Sequence, residues 1–269
     1  MKRLNTIGIL LCVLLFGAGF FIKGNLHMYF NLAGFMIVVG GSAAAALLSF
    51  RLERLLITFK VVKASYTHQI KTESEIVDIL IDLAIKSKVE GILSLQDEEQ
   101  ETSILFLRRG LGCLVDNYGP SQIRDILNTE MYFFKLRRED SERVLRTIGD
   151  FFPAFGIIGS VVGLISMLGG IGDTSVILAT VPVALTSTLY GLIFANFFFV
   201  PFAANLRERT NQELLLQKII MEGIIAIDTE LNPTVLKTKL LSFLTPSERK
   251  ADLVPLAKIQ EHFRPGRQP

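Results

Sequence analysis

The sequence predicts an all-α membrane protein, a polytopic chain with four transmembrane helices in two hairpins and a helical cytoplasmic domain. Half of the 269 residues are hydrophobic and the mean hydropathy is +0.44, yet a fifth of the residues are charged. Apolar and charged residues must therefore occupy separate blocks, since a uniform soluble core would not have this composition. Two further observations support this class: long charge-free runs, and helical periodicity in the segments between them.

Four runs of the chain carry no charged residue. A helix that spans a bilayer needs about 20 largely uncharged residues, because a charge at the membrane centre costs roughly 2.5–3.5 kcal/mol. The runs cover residues 4–22, 24–50, 151–172 and 174–206. Lys23 separates the first pair and Asp173 the second, so we expect two helical hairpins. A signal peptide is the alternative for the first run, but no small-x-small cleavage site followed by a polar region is present.

Basic residues near the ends of these runs predict the orientation, because cytoplasmic loops carry an excess of lysine and arginine. Nearly all of them fall on one side of the predicted spans: Lys2, Arg3, Arg51, Arg54, Lys60, Lys63, Lys135, Arg137, Arg138, Arg143, Arg146, Arg207 and Arg209. The other side keeps only Lys23 and Asp173, in two short loops. We therefore expect both termini to be cytoplasmic.

These boundaries predict five parts. Residues 1–50 form the first transmembrane hairpin, 51–147 a cytoplasmic helical domain, 148–206 the second hairpin, 207–250 cytoplasmic C-terminal helices, and 251–269 a disordered tail.

The cytoplasmic segments show helical patterns. Thr72 and Glu75 form a capping-box pattern, and an apolar face follows it: Ile76, Ile79, Leu80, Leu83 and Ala84. A second amphipathic helix is predicted from Ser121, with an apolar side of Ile123, Ile126, Leu127 and Phe134. The fourth span should continue as a helix through residues 207–227. Asn232 and Pro233 then predict the start of a short helix that ends at Thr245-Pro246.

The sequence offers no catalytic or metal-binding pattern. It has no Walker A, HExxH or GxSxG motif, its histidines at 27, 68 and 262 are scattered, and Cys12 and Cys113 show no CxxC spacing. No basic stretch is interleaved with aromatic residues, which excludes nucleic-acid binding. We expect no enzyme, no metal site and no cofactor.

No charged residue lies deep in any span, which is unusual for an ion transporter. We expect that this chain does not carry an ion by itself. The spans do contain small and hydroxylated residues at helical spacing: Gly156, Ser160 and Gly163 in the third, and Thr180, Ala184, Thr188, Gly191 and Ala195 in the fourth. Such stripes allow close helix packing, either within one subunit or with a partner helix. Alternatively, the hydroxyls of Ser160 and Thr188 face a pathway and lend oxygens to an ion whose carboxylate comes from another protein.

Four segments resemble the MotA/PomA family of flagellar stator proteins. The third span opens with Pro153-Ala-Phe-Gly-Ile-Ile-Gly-Ser-Val-Val-Gly-Leu-Ile, which is similar to the family's third-helix signature. The others are Val38-Val-Gly-Gly-Ser with residues 43–50, Thr188-Leu-Tyr-Gly-Leu-Ile-Phe-Ala-Asn with Pro201, and residues 232–246. Their order and their positions on the spans make the resemblance specific over nearly the whole chain.

The resemblance implies an inner-membrane motor subunit. In that family about five such subunits surround a pair of single-span partners, MotB or PomB, whose membrane aspartate binds H⁺ or Na⁺ and whose outer domain grips peptidoglycan. Cytoplasmic charges of the ring push the rotor protein FliG. Ser160, Ser187 and Thr188 would then line the ion pathway, and Gly156, Gly163, Ala184, Gly191 and Ala195 would pack against the partner helix. Sodium-driven members keep a threonine at the position of Thr188, which favours Na⁺ slightly over H⁺, although they also have one where this chain has Ser160.

The resemblance also implies roles for two prolines and a charged segment. Pro153 and Pro201 match the prolines at the cytoplasmic ends of the third and fourth helices that couple ion flow to movement; simple boundary prolines are the alternative. Lys88 takes the family's basic rotor-facing position and Glu90 follows it. Gln96 stands where an acid is expected, so Asp97, Glu98 or Glu99 would supply the negative charge. A solvated helix face is the alternative for this segment.

Two other functions compete with a stator. An ExbB/TolQ-type energiser of outer-membrane processes has three spans and an outside N-terminus, whereas Lys2 and Arg3 precede an N-terminal hairpin here. A transport permease should show discontinuous helices or polar groups at mid-membrane and often an internal repeat. Two hairpins are present, but no convincing repeat relates them.

Overall fold

The computed structural model of the chain describes residues 2–22, 29–67, 71–170, 174–229 and 231–244. Within these ranges every regular element is a helix, which confirms the all-α class. The chain divides into two compact units. The first unit comprises Met1–Tyr66 and Glu139–Arg207, and the second comprises Thr67–Arg138 and Glu208–Pro269.

Ten α-helices occupy the described residues. They are α1 (Lys2–Ile22), α2 (Leu32–Ser49), α3 (Leu52–Thr67), α4 (Glu73–Glu90), α5 (Leu95–Glu101), α6 (Leu105–Val115), α7 (Pro120–Gly169), α8 (Thr174–Ile193), α9 (Val200–Asp228) and α10 (Pro233–Leu241). A 3₁₀ turn at Ile92–Ser94 precedes α5, and a π-helical segment at Phe194–Phe199 joins α8 to α9.

Three of the described helices are long and apolar enough to cross a membrane: α2, α7 and the continuous rod Thr174–Asp228. The apolar stretch Leu10–Ile22 of α1 is shorter than these three helices. Leu14, Leu15 and Leu185 each leave more than 60% of their surface exposed on these helices. Such apolar surfaces suit lipid rather than water, which is consistent with the expected membrane class.

The second span is shorter as a helix than the charge-free run that predicted it. The run begins at residue 24, but α2 begins at Leu32. The side chain of Asn31 accepts a hydrogen bond from the Gly34 N–H at 2.9 Å and caps the helix there. A run without charged residues indicates which part of the chain lies in apolar surroundings. The residue at which the helix begins is set by the capping side chain, here Asn31. Residues 23–28 lie outside the described ranges.

The helices that contain the third and fourth spans continue past the two prolines that the family resemblance places at the cytoplasmic ends of those spans. Pro153 lies inside the 50-residue α7, and Pro201 lies inside α9. The amphipathic helix predicted from Ser121 begins at Pro120 and runs without a break into the apolar run, so the predicted boundary at 147–148 falls within α7. A proline inside a helix costs about 3 kcal/mol. Ile148 and Phe152, which precede Pro153, are buried in one apolar cluster and pack this part of α7 against its neighbours.

In the first unit, α3 packs against α7 and α9. Leu55 and Val62 are buried on its inner face, where Val62 joins a cluster with Leu145, Ala203 and Leu206. The Ser65 hydroxyl donates to Asn205 Oδ1 at 3.1 Å. The sequence-based reading did not predict α3 as a separate helix.

In the second unit, the predicted face of α4 is confirmed. Thr72 Oγ1 accepts a hydrogen bond from the Glu75 N–H at 3.4 Å. Four members of the face are buried, namely Ile76, Leu80, Leu83 and Ala84, and the partly buried Ile79 packs against them. On α7, Ile123 and Leu127 are buried as expected, but Ile126 is exposed. Ile126 lies one residue from Leu127, or about 100° around a helix, so it points away from their face.

The C-terminal helices follow their capping signals. The rod from Thr174 extends to Asp228, and α10 begins at Pro233 with Asn232 Oδ1 accepting from the Thr234 N–H at 3.0 Å. α10 ends at Leu241, before the predicted stop at residue 245. That stop, the tail 251–269 and the three histidines lie outside the described residues.

Candidate ion-pathway site

Glycines allow α7 and α8 to pack closely within this one chain. A Cβ added to Gly163 would lie 2.7 Å from the Ala184 backbone nitrogen, and one added to Gly156 would lie 3.1 Å from the Ser187 carbonyl oxygen. At Gly191 a Cβ would lie 2.5 Å from the Phe152 carbonyl oxygen. No larger side chain fits at these points without a backbone shift. The small-residue stripe therefore forms the contact between the two helices.

Ser160 and Thr188 meet in this contact. Their hydroxyl oxygens are 2.5 Å apart. Ser160 Oγ lies 2.6 Å from the Ala184 carbonyl oxygen and 3.2 Å from that of Gly156, and Thr188 Oγ1 lies 3.5 Å from the Gly156 oxygen. Both side chains are half-buried. Four oxygen atoms from two helices thus converge at one place in the apolar run.

Ser187 has a different position from its neighbour Thr188. It is fully buried, and its hydroxyl donates to the Val183 carbonyl oxygen at 2.7 Å. A Cβ added to Gly34 of α2 or to Gly159 of α7 would lie 2.8 or 2.6 Å from Ser187 Oγ. Ser187 therefore lies where α2, α7 and α8 meet, and the structure does not bring it together with the Ser160–Thr188 pair.

Ala195 packs inside the first unit. It lies in the π segment, is 3% exposed, and belongs to a cluster with Val38, Ala46 and Phe152. With Gly156, Gly163, Ala184 and Gly191, it contacts helices of its own chain in this structure.

The two prolines flank a stack of aromatic rings. Phe152, next to Pro153, stacks on Phe194 and Phe199 with ring centroids 5.2 and 5.0 Å apart. These two phenylalanines are the first and last residues of the π segment, which ends two residues before Pro201. Single π turns inside α-helices are frequent at functional sites. The sequence shows the phenylalanines but gives no signal of the π turn.

The charged segment lies in the second unit. Lys88 and Glu90 are exposed at the end of α4, where Gly91 adopts φ +87° and turns the chain. Lys88 lines a cavity of about 590 Å³ whose lining also includes Ile227 and Leu231.

The acidic residues of this segment lie in the first turn of α5. Gln96 and Asp97 are exposed there, while Glu98 accepts a hydrogen bond from Lys86 Nζ at 2.9 Å. That bond raises the pKa of Lys86 above its ordinary value. Glu98 is thus engaged by Lys86, and the charge of Asp97, which is exposed in the first turn of α5, also acts on Lys86.

The chain has close relatives among motor proteins. The profile of the MotA/TolQ/ExbB proton channel family matches residues 98–218. The chain is 33% identical over 220 residues to the uncharacterized protein YtxD of Bacillus subtilis (strain 168), covering 82% of this chain and 81% of that one. It is 30% identical over 230 residues to the chemotaxis protein PomA of Vibrio alginolyticus, covering 86% of this chain and 90% of PomA. The chain belongs to the MotA/PomA family.

A solved stator has the same fold. The flagellar MotAB stator complex from Bacillus subtilis superposes with a TM-score of 0.84 at 25% identity, over 92% of this chain and 98% of that one. This MotA-type chain is therefore a stator subunit of the flagellar motor, an inner-membrane protein and not an enzyme. The profile match includes Ser160, Thr188 and both prolines, whereas Lys88 and Glu90 precede it.

Proposed function

We propose that this MotA-type subunit forms an ion channel with a MotB/PomB-type single-span partner and converts ion flow into torque on FliG, with Na⁺ slightly favoured over H⁺. About five copies would surround the partner, each with four spans and both termini in the cytoplasm. The observation that carries the proposal is the Ser160–Thr188 oxygen cluster in a pair of spans without any carboxylate.

The missing carboxylate argues for a partner. Residues 151–170 and 174–206 contain no Asp, Glu, Lys, Arg or His. Within the described residues, no three His, Cys, Asp or Glu side chains come together as metal ligands. Coupling to an ion in the membrane requires a titratable group or a full set of oxygens. A partner aspartate beside the ring would complete the site.

The oxygen cluster supports the preference for Na⁺. A sodium ion exchanges its hydration shell for hydroxyl and carbonyl oxygens, whereas a proton needs only the partner's acid. Ser160 Oγ, Thr188 Oγ1 and the Ala184 carbonyl oxygen lie within 2.6 Å of a neighbour in this cluster. Rotation of either hydroxyl would present its lone pairs to an ion carried by the partner.

Torque would follow from neutralisation of the partner's acid. Ion binding would remove the charge of that aspartate, change its contact with the ring, and let the ring step. Pro153 and Pro201 lack backbone N–H donors, and they flank the Phe152 stack at the π segment. A movement of the helices at these prolines would then be transmitted to the charged segment. That segment contains Lys88, Glu90, Gln96, Asp97 and Glu98.

Swimming speed tests the ion and the site together. The chain and its partner are expressed in a stator-less host, and speed is measured against external Na⁺ at constant pH. We expect Thr188→Val to shift the curve to higher Na⁺, because it removes one oxygen while keeping the shape. Thr180→Val is the matched control, because Thr180 Oγ1 bonds the Val176 carbonyl of its own helix at 2.8 Å. Speed that ignores Na⁺ and sodium-channel blockers would reject the sodium assignment.

A further inference from the structure

Tyr190 connects α8 to the residues that lead into α2. Its hydroxyl donates a hydrogen bond to the Tyr29 carbonyl oxygen at 2.5 Å and accepts one from the Asn31 N–H at 2.8 Å. Asn31 has an extended backbone, with φ −125° and ψ 110°, and its side chain caps α2 at the Gly34 N–H. One hydroxyl of α8 therefore holds the residues at which α2 begins.

These two hydrogen bonds lie in apolar surroundings. Tyr190 is the middle residue of the charge-free run 174–206. All three bonded residues line an apolar cavity of about 540 Å³, together with Phe20, Leu32, Phe35 and Phe194. Backbone groups outside a helix need protein partners in such surroundings, because water is not there to replace them. Because the cavity leaves space beside the Tyr190 ring, packing alone does not fix its position.

Tyr190 and Thr188 lie on opposite sides of α8. A separation of two residues corresponds to about 200° around a helix. Thr188 faces Ser160 of α7, with 2.5 Å between the hydroxyl oxygens. Tyr190 faces α2, where its ring meets the Phe35 ring edge-on at 6.1 Å. Helix α8 is thus held from both sides near the Ser160–Thr188 oxygen cluster.

A tight contact connects the start of α2 to this oxygen cluster. A Cβ added to Gly34 would lie 2.8 Å from Ser187 Oγ and 3.5 Å from the Ser187 backbone nitrogen. Ser187 directly precedes Thr188 in the chain. A shift of Asn31 would carry Gly34 with it, and Ser187 would have to move. The position of Thr188 therefore depends on the segment that Tyr190 holds.

We propose that Tyr190 is a positioning residue for the ion site and holds α8 so that Thr188 stays against Ser160. The inference rests on the proposed function for its effect on ion use, whereas the geometry does not depend on the ion. Tyr190→Phe leaves the Tyr29 carbonyl and the Asn31 N–H without the hydroxyl that both use. The start of α2 then moves to find other partners for them, and Thr188 spends less time against Ser160.

A disulfide measures the position of Thr188 directly. Ser160→Cys and Thr188→Cys are combined in the purified stator complex after the two natural cysteines are changed to alanine, and the rate of disulfide formation under a copper oxidant is measured. We expect Tyr190→Phe to slow the reaction roughly two- to tenfold, the change that the loss of one hydrogen bond makes in an equilibrium. Thr180→Val, which loses a hydroxyl bonded within α8, should leave the rate unchanged. Equal rates with and without Tyr190→Phe, including no reaction in either protein, would overturn the proposal.

Swimming speed against external Na⁺ shows whether this position matters for the ion. We expect Tyr190→Phe to raise the half-saturating Na⁺ concentration by the same factor while the maximal speed is kept. Combined with Thr188→Val it should cause no further shift, because the oxygen that it positions is already gone. An equal shift in both backgrounds would show that Tyr190 acts elsewhere and would overturn the proposal. If Thr188→Val alone leaves the curve unchanged, the proposed ion site is wrong, and the disulfide rate still decides whether Tyr190 positions Thr188.

Discussion

At the scale of single residues, the contact between α7 and α8 depends on side chains that are small or absent. Gly156, Gly163 and Gly191 let α7 approach α8 until backbone atoms touch. The same approach brings the hydroxyls of Ser160 and Thr188 together. Their two protons cannot satisfy every neighbouring oxygen, because each hydroxyl donates only one hydrogen bond. Lone pairs therefore remain available in this apolar contact.

Gly163 tests the close approach. Gly163→Ala puts a methyl group 2.7 Å from the Ala184 backbone nitrogen, which must move. Overpacking of this kind costs about 1–3 kcal/mol, so we expect a lower Tm for the purified complex in thermal unfolding. Gly40→Ala is the matched control, since a Cβ at Gly40 of α2 meets no atom within 4 Å. Equal Tm values for the two variants would show that the α7–α8 contact is looser than described.

Sequence reasoning found the residues of this contact but not all their positions. Helical spacing predicted that Ser160 and Thr188 belong to small-residue stripes, and the structure joins those stripes. Helical spacing could not show that Ser187 and Thr188 have different neighbours. Adjacent residues differ by about 100° around a helix, and the stripe is wide enough to include both. The contact of Ser187 with Gly34 and Gly159 depends on where α2 packs, which no local pattern specifies. The roles given to these residues by the family resemblance remain predictions.

At the scale of helices, one buried carboxylate connects three helices of the second unit. Glu222 of α9 is 8% exposed and accepts from Arg124 Nη1 of α7 at 3.0 Å and from Lys239 Nζ of α10 at 2.7 Å. Lys218 lies 3.5 Å away on the same helix. Burial alone would raise the pKa of Glu222, but Lys239 and Arg124 outweigh it and hold the pKa below its ordinary value. One carboxylate therefore ties three helices together.

This cluster predicts a pH dependence of stability. Because the pKa of Glu222 is lower in the folded protein than in the unfolded chain, its ionised form stabilises the fold above the ordinary value of 4.5. That stabilisation is lost as pH falls through the folded pKa. We expect Glu222→Gln to lower the Tm at neutral pH, and the difference from wild type to shrink below pH 4.5. The exposed Glu208, also on α9, provides the control variant Glu208→Gln, whose effect should be small at every pH. A Tm difference for Glu222→Gln that stays constant down to acid pH would contradict the ionic role.

Helix ends were predictable only where a side chain marks them. Thr72 and Asn232 cap α4 and α10 as their sequences indicate. The family resemblance places Pro153 and Pro201 at the cytoplasmic ends of the third and fourth spans, and both prolines lie within continuous helices. The π segment has no sequence signature, since one added residue per turn changes hydrogen bonding and leaves composition unchanged.

At the scale of the whole molecule, rotor contact should depend on several charges. Lys88, Glu90 and Asp97 are exposed, and surface ion pairs are weak and screened by salt. We expect Lys88→Glu and Asp97→Lys to reduce swimming speed only modestly when made singly. Protein levels in the membrane are the control. Complete immotility of Lys88→Ala at normal protein levels would refute a distributed contact.

The charge-free runs predicted the membrane class of the whole molecule, and the all-α fold and the MotA-type identity are confirmed. The number of spans, the orientation and the copy number depend on the bilayer and on other chains. A single sequence constrains them only through the basic residues near the span ends. They remain proposals that the family resemblance supports.

The central claim is that the membrane part of this subunit lacks a carboxylate of its own and works with an acid supplied by its partner. Cation flux into vesicles tests it most directly, with the subunit reconstituted alone and together with a MotB/PomB-type partner. The account predicts flux at the level of empty vesicles for the subunit alone, and a measurable flux with the partner that an Asp→Asn change in the partner's span abolishes. Brisk cation conduction by the subunit alone would contradict the account.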